Sequence, residues 1–169
     1  FDPNTGFYKF EAAAVDLGEI AAKIVSNQQL SAEIQGIGLT LTLDADLPII
    51  MADRVMMESA LGNLVDNAIK FSEPDTSVAV ILRAEGRNVL FSVSDSGPGI
   101  AAEDQERIFE RSVRVVKQGS KRVRGSGLGL YIVRNVAQRH GGAVWVESVP
   151  GEGSTFFMRI PVRAVQPGR

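Results

Sequence analysis

Hydrophobic residues recur along the chain with two different periods, and the two periods alternate. Residues 16–35 repeat apolar positions about every 3.6 residues, as do residues 53–71 with Asp53 as N-cap, so both stretches predict amphipathic helices. Residues 126–140 carry the same helical pattern and end at Gly141 and Gly142. The pattern therefore predicts three helices.

Other stretches alternate apolar and polar residues or are rich in β-branched residues, as half-buried strands are. The predicted strands are residues 38–44, 77–84, 88–94, 143–148 and 154–162. The composition of residues 85–87 suits a hairpin turn between the second and third strands, and residues 150–153 suit a turn between the last two. This mixed order predicts an α/β two-layer sandwich, with helices covering one face of a mixed sheet.

The composition narrows the classes of function. The chain has 169 residues, of which 44% are hydrophobic and 22% charged, and this length predicts one domain with its own core. A net charge of −2 argues against a dedicated nucleic-acid binder, and the absence of cysteine excludes disulfides and thiolate chemistry. The sequence therefore favours a function that requires neither nucleic-acid binding nor cysteine chemistry.

Nothing in the sequence predicts a signal peptide or a membrane span, because no window approaches about 18 uninterrupted apolar residues. The chain does not begin with Met, so we expect a fragment of a longer protein. For this fragment we expect a cytoplasmic location and no direct membrane contact. Whether its parent is anchored in the inner membrane stays open.

The second predicted helix carries a polar stripe beside its apolar one. Asn63, Asn67 and Lys70 stand at i, i+4 and i+7 and therefore share one helix face. Amide oxygens suit magnesium, and a lysine can pair with a phosphate oxygen. The alternative is an ordinary solvated helix face, which taken alone is the better explanation.

Asp95 follows a predicted strand and precedes Gly97 and Gly99. A carboxylate at the end of a strand beside a flexible turn can accept a hydrogen bond from the exocyclic amine of adenine. The alternative is an acidic residue in an ordinary turn, because Asp-x-Gly-x-Gly is common in loops.

A second glycine-rich segment, residues 125–130, opens the third predicted helix. Unpaired N–H groups and the positive end of the helix dipole make such a helix start suitable for phosphate. Residues 98–125 form a long loop, and seven of the chain's 18 Lys and Arg residues lie between 107 and 124. The loop is predicted to be a lid over a polyanion, although most of its charges are expected to be solvated.

The motifs in combination resemble the catalytic and ATP-binding domain of bacterial sensor histidine kinases. The resemblance includes Asn-x-x-x-Asn-x-x-Lys, Asp-x-Gly-x-Gly, Ile108-Phe109-Glu110-Arg111 and Gly-Ser-Gly-Leu-Gly-Leu in that order, and extends through residues 140–142 and 151–156. It implies a mixed, mostly antiparallel five-stranded sheet with three helices, the fold that gyrase, heat-shock chaperone and mismatch-repair ATPases share. It also implies three regions: residues 1–14 as a connecting segment with the first strand, 15–162 as the ATP-binding domain, and 163–169 as a tail.

The resemblance implies a role for each matched residue. Asn67 would be the main magnesium ligand with Asn63 nearby, Lys70 would contact phosphates, and Arg111 and Arg114 would reach the γ-phosphate transiently. The implied ATP-binding residues are Asn67, Lys70, Phe71, Asp95, Gly97, Gly99, Ile100, Phe109, Gly125, Ser126, Gly127, Leu128, Gly129, Leu130 and Thr155. Within this set Asp95 would receive the adenine amine, and the glycines of residues 125–129 would hinge the lid.

One position separates kinase from ATPase. Related ATPases have a water-activating glutamate four residues before the magnesium asparagine, where this chain has Asn63, which cannot act as a general base. We therefore expect transfer of the γ-phosphoryl group rather than hydrolysis. A degenerate, nucleotide-sensing interaction module is the main alternative, because the lid lacks the family's usual aromatic pair after residue 111, and a water-activating ATPase is a weaker one.

The phosphoacceptor is expected outside this chain. In the family it is a histidine on a separate helical hairpin that also forms the dimer, and a response regulator acts downstream. The chain's single histidine, His140, precedes Gly141 at a predicted helix end, so we expect a structural role for it.

Overall fold

The computed structural model describes residues 9–111 and 128–163, which form a two-layer α/β sandwich. Three α-helices pack together on one face of the main sheet: α1 (Leu17–Ile34), α2 (Arg54–Phe71) and α3 (Gly129–Arg139). The strands are β1 (Ala13–Val15), β2 (Gly38–Leu43), β3 (Ile50–Ala52), β4 (Ser77–Glu85), β5 (Asn88–Asp95), β6 (Ala143–Val149) and β7 (Gly153–Pro161). The predicted sandwich is confirmed.

The main sheet has five strands in the order β2-β4-β5-β7-β6. β2 runs parallel to β4, and every other neighbouring pair is antiparallel. A parallel pair needs a long crossover, and α2 lies in the connection from β2 to β4. This crossover is what places α2 against the sheet.

The starts of the two long helices follow from their capping residues. Asp16 accepts a hydrogen bond from the backbone N–H of Glu19, and Asp53 accepts one from Met56. Each carboxylate satisfies one of the N–H groups that a helix leaves unpaired at its first turn. Asp53 as N-cap was predicted. The third helix starts later than predicted, at Gly129 rather than 126, and residues 126–127 lie outside the described part.

A second, two-stranded sheet was predicted only in part from the sequence. β1 pairs with β3 in antiparallel register, with Val15 opposite Ile50. The strand β3 was not predicted, although an apolar run follows Pro48. A three-residue strand is too short for its period to be recognised, and its pairing partner lies 35 residues earlier in the chain.

The core lies between the helices and the main sheet. Residues such as Leu61, Leu64 and Val65 of α2 are fully buried, as are Val93 of β5 and Met158 of β7. None of the helices in the described ranges is long and apolar enough to cross a membrane.

Polar groups are also buried at the start of α2. Asp53 is 1% exposed and His140 is 0% exposed. The backbone N–H of Asp53 donates to His140 Nε2 at 3.0 Å, and His140 Nδ1 lies 2.7 Å from the carbonyl oxygen of Val136. Because Nε2 accepts, Nδ1 must carry the proton, and the ring is neutral. The structural role expected for His140 agrees with this geometry.

The chain before β1 closes this polar cluster. The N–H of Glu11 donates to Asp53 Oδ2 at 2.9 Å, and the ring of Phe10 lies 4.8 Å from the His140 ring between centroids. The guanidinium of Arg139 lies 5.8 Å from the centroid of the Phe10 ring. Three separate segments of the chain therefore meet at Asp53 and His140.

We predict that stability depends on the neutral form of His140. Burial lowers the pKa of His140 below its ordinary value of 6.5, against the opposing contributions of its bond to Val136 and of the Asp53 charge. The unfolded chain therefore takes up a proton more readily than the folded chain. Stability should be fully present above about pH 6.5 and fall as the pH drops below that value towards the lower folded-state pKa.

Urea unfolding between pH 5 and 8 measures this effect. The His140→Ala variant should be less stable than the native chain by about 2–4 kcal/mol at pH 7.5, because it leaves a cavity and an unpaired Asp53 N–H. The difference between the two proteins should narrow as the pH falls, since the variant has no histidine to titrate. A constant difference across this range would contradict the role given to the neutral ring.

Candidate functional site

Three predicted motifs meet where α2 ends, β5 ends and α3 begins. A Cβ atom on Gly97 would lie 2.7 Å from the carbonyl oxygen of Phe71, so the turn after β5 touches the last residue of α2. A Cβ atom on Gly129 would lie 3.0 Å from Asn63 Oδ1, so the start of α3 touches the middle of α2. Absence of a side chain at both glycines permits these approaches.

The two asparagines in the polar stripe of α2 differ in their hydrogen bonding. Asn63 Nδ2 donates to the carbonyl oxygen of Ser59 at 2.7 Å, which leaves Asn63 Oδ1 towards Gly129. Asn67 Nδ2 is buried and has no hydrogen-bond partner among the residues that the structure describes. A buried amide without a partner costs free energy, which a ligand would recover by accepting its hydrogen bond.

Lys70 and Phe71 end the same helix. Lys70 Nζ lies 3.0 Å from Asp66 Oδ2, and its side chain is 40% exposed. A phosphate would therefore have to compete with Asp66 for the ammonium group. An exposed pair at this spacing is worth only about 0.3–0.5 kcal/mol, so the competition is weak. Phe71 is half-buried, and its carbonyl oxygen faces Gly97.

Asp95 is the last residue of β5 and is half-buried. Its Oδ1 accepts the backbone N–H of Gly97 at 2.9 Å. Burial raises the pKa of Asp95 above its ordinary value of 3.8, while hydrogen bonds from the backbone of Gly97 and Ser154 act in the opposite direction. A carboxylate with these partners keeps a fixed orientation and retains further acceptor capacity.

The residue of β7 that approaches Asp95 is Ser154 rather than Thr155. Ser154 is paired in register with Asp95, whereas Thr155 is paired with Ser94. The Thr155 hydroxyl lies 2.9 Å from that of Ser94, on the opposite face of the sheet from Asp95. The structure therefore does not bring the Thr155 side chain to the cleft that is formed by α2, the turn after β5 and the start of α3. The sequence alone could not show which of the two residues lies beside Asp95, because that depends on the register between β5 and β7.

The first part of the predicted lid is folded against the domain. Gly99 has a φ of +76°, and a Cβ atom there would collide with the carbonyl oxygen of Val149. Ile100 is partly buried against the core. Phe109 is 5% exposed, and its ring forms a T-shaped contact with that of Phe156 at a centroid distance of 6.1 Å. Residues 98–109 therefore form a packed base for the rest of the predicted lid.

The remaining predicted residues lie at the edges of the described part or outside it. Arg111 is exposed and is the last described residue before the gap. Leu128 occupies the N-cap position of α3, and Gly129 and Leu130 begin the helix, with Leu130 partly buried against the core. Arg114, Gly125, Ser126 and Gly127 lie outside the described residues, as does most of the predicted lid. Their roles stay predictions.

Fold and site together define an α/β nucleotide-binding domain of the two-layer type. A family model described as "Histidine kinase-, DNA gyrase B-, and HSP90-like ATPase" matches residues 52–164. The chain therefore belongs to this family. The matched range includes all of α2, the turn after β5 and the start of α3, which are the elements that form the cleft.

Similar proteins are named as sensory kinases or histidine kinases. The adaptive-response sensory kinase SasA of Prochlorococcus marinus is 41% identical over 154 residues, which cover 90% of this chain and 40% of that protein. The sensor-like histidine kinase SenX3 of Mycolicibacterium smegmatis is also 41% identical, over 88% of this chain and 38% of that protein. The chain thus spans about two fifths of the length of these relatives.

Solved structures give the same result. The catalytic domain of histidine kinase ThkA superposes with a TM-score of 0.79 at 28% identity, covering 91% of this chain and 97% of that domain. Full-length ShkA in complex with AMPPNP superposes with a TM-score of 0.80 at 31% identity, covering 94% of this chain and 33% of that protein. The fold is that of histidine kinase catalytic domains.

We predict opposite effects from two Gly→Ala substitutions. Gly97→Ala should destabilise the domain by about 1–3 kcal/mol, because its Cβ would press on the backbone of Phe71. Gly62→Ala is the matched control, since no atom lies within 4 Å of its Cβ position and it lies inside α2. That control should stabilise the domain by about 0.5–1 kcal/mol. Urea unfolding measures both, and equal stabilities would contradict the close approach at Gly97.

Proposed function

We propose that this domain binds ATP with magnesium and transfers the γ-phosphoryl group to a histidine on a helical hairpin elsewhere in its parent protein. The observation that carries the proposal is the buried, unpartnered Asn67 amide in a cleft with Asp95 at one end and the start of α3 near the other. A response regulator would then receive the phosphoryl group from the histidine. The name of SasA as a sensory kinase and the AMPPNP complex of ShkA support this proposal.

The adenine would bind at the Asp95 end. A half-buried carboxylate held by the backbone of Gly97 and Ser154 can accept the exocyclic amine of adenine, and it would repel the carbonyl oxygen of other purines. Phe71 and Ile100 lie at this end and offer apolar surface to the base. Base selection would therefore depend on one acceptor in a fixed position.

The phosphates would bind between α2 and the start of α3. The first N–H groups of α3 and its dipole favour negative charge, and Lys70 adds a cation at the end of α2. The described residues contain no group of three or more His, Asp or Glu side chains that could hold a metal ion. Magnesium would therefore depend on amide and phosphate oxygens, with Asn67 Oδ1 as the main protein ligand and Asn63 beside it, while the unpartnered Asn67 Nδ2 would donate to an oxygen of the nucleotide.

The side chains of the cleft favour transfer over hydrolysis. Magnesium, when bound, supplies charge neutralisation on the phosphates. The protein side chains position the nucleotide, and Asn63 can neither take a proton from water nor orient it as a carboxylate would. An enzyme that must deliver a phosphoryl group to a protein histidine gains from leaving water inactive.

His140 does not fit the role of acceptor. Its ring is fully buried, and both nitrogen atoms are within hydrogen-bond distance of backbone groups. A phosphoacceptor needs an accessible nitrogen with a free lone pair. The acceptor is therefore assigned to another part of the parent, which agrees with the greater length of the relatives.

Asn67→Ala should separate activity from stability. Transfer of labelled γ-phosphate from ATP to a separately supplied hairpin of the parent should fall at least about 100-fold, because a magnesium ligand is lost. The free energy of unfolding should be unchanged or higher by up to about 1 kcal/mol, because a buried unpaired amide is removed from a helix.

Asn27→Ala, on the exposed surface of α1, is the matched control and should leave transfer unchanged. Two results would contradict the proposal. One is tight ATP binding by the native domain without any transfer to the hairpin, which would favour a nucleotide-sensing module. The other is steady phosphate release that is lost in Asn63→Ala, which would favour an ATPase.

The affinity for adenosine should depend on the charge of Asp95. The carboxylate accepts the adenine amine only when deprotonated, and burial raises its pKa above 3.8. Affinity should therefore be full well above that raised pKa and fall as the pH drops through it, at a higher pH than for an ordinary aspartate. Calorimetry with adenosine avoids titration of phosphates. Asp95→Asn should bind more weakly and lose this pH dependence, and an unchanged profile would contradict the adenine role.

A further inference from the structure

The turn after β5, here called the glycine turn (residues 97–100), forms hydrogen bonds with the β6–β7 hairpin at two positions. The N–H of Gly151 donates to the carbonyl oxygen of Pro98 at 2.8 Å. The N–H of Ile100 donates to the Ser148 hydroxyl at 2.7 Å. Two backbone groups of the glycine turn, the carbonyl of Pro98 and the N–H of Ile100, therefore have their hydrogen-bond partners in the β6–β7 hairpin.

Gln105 completes this attachment from the other direction. Its Nε2 atom donates to the carbonyl oxygen of Ile100 at 3.0 Å and to that of Ser148 at 3.1 Å. Both polar backbone groups of Ile100 are therefore held by side chains, the N–H by Ser148 and the carbonyl by Gln105. One amide group spans the glycine turn and β6 and uses both of its hydrogen atoms.

The Ser148 hydroxyl continues the connection to Asp95. It lies 2.9 Å from the carbonyl oxygen of Gly153, to which it donates, and 2.8 Å from the Ser154 hydroxyl. Since a hydroxyl has one proton, the Ser154 hydroxyl is the donor in the second contact. The backbone of Ser154 in turn bonds to the Asp95 carboxylate. Hydrogen bonds, linked by the covalent structure of Ile100 and Ser154, therefore connect Gln105 to Asp95.

The backbone of the glycine turn has little freedom to adopt another conformation. Gly99 is held at positive φ against Val149 and Pro150, and Gly97 is pressed between Phe71 and Asp95. These close contacts fix the conformation of the glycine turn, but they do not orient the Asp95 carboxylate. The hydrogen bonds orient it, so their loss should affect the orientation of the Asp95 carboxylate more than the fold.

We propose that Gln105 and Ser148 are positioning residues that fix the Asp95 carboxylate and thereby set the selectivity for adenine over other purines. The inference rests on the proposed nucleotide site, and it adds residues that do not themselves touch the base. A carboxylate held in place favours an amine donor and disfavours the carbonyl oxygen of hypoxanthine. A carboxylate free to rotate or to admit water loses most of that difference.

Gln105→Leu tests the proposal because it removes both Nε2 contacts at similar volume. Its matched control is Gln29→Leu, since Gln29 is also half-buried and its Nε2 donates to a backbone carbonyl, that of Leu39, at 3.0 Å. Calorimetry measures the affinity of each protein for ATP and for inosine triphosphate. Thermal unfolding without nucleotide, measured in parallel, gives the purely structural cost.

We expect Gln105→Leu to weaken ATP binding about tenfold and to change binding of inosine triphosphate less than about twofold. The ratio of the two affinities should therefore fall about tenfold. Gln29→Leu should keep the native ratio even if it melts at a similarly reduced temperature. An equal loss of both nucleotides in Gln105→Leu, or an unchanged ratio, would overturn the proposal.

Ser148→Ala should reproduce the fall in the ratio, and the double variant should lose less than the sum of the two single losses, because both residues hold the backbone of Ile100, one at its N–H and the other at its carbonyl. Additive losses would show that the two residues act separately and would overturn the shared role. Failure of the native protein to bind ATP at all would instead contradict the proposed function. The two failures are thus distinguishable.

Discussion

The arrangement of the helices depends on one buried carboxylate, Asp53. It accepts the N–H of Met56 and of Glu11, and its own N–H donates to the buried ring of His140. A buried charge without such partners would be costly, so each segment that supplies a partner is held in place. The start of α2, the end of α3 and the chain before β1 are joined at this point.

The cleft lies towards the opposite ends of α2 and α3. Asn67 stands fourteen residues after Asp53, which along an α-helix is about 20 Å. At the Asp53 end the buried polar groups are paired with one another, whereas at the cleft the Asn67 amide has no partner within the described ranges. The paired end therefore fixes the helix, and the unpaired amide lies where we propose that the nucleotide binds.

Much of the candidate site's geometry could be predicted because its signals are local. The spacing of Asn63 and Asn67 places both on one face of a helix, and the glycines after Asp95 mark a turn, whatever the rest of the fold does. Ser154 and the short strand β3 could not be predicted in this way. Both depend on strand register, which is decided by pairing between segments far apart in the sequence.

The sequence by itself determined the helices, the main strands, the family resemblance and the residue types of the cleft, because periodicity and motif order are properties of the chain alone. Only the tertiary structure decided that Thr155 faces Ser94, that His140 is neutral and buried, and that Gln105 reaches Ile100. Each of these depends on a partner many residues away or on exclusion of water. Such contacts exist only once the layers have packed.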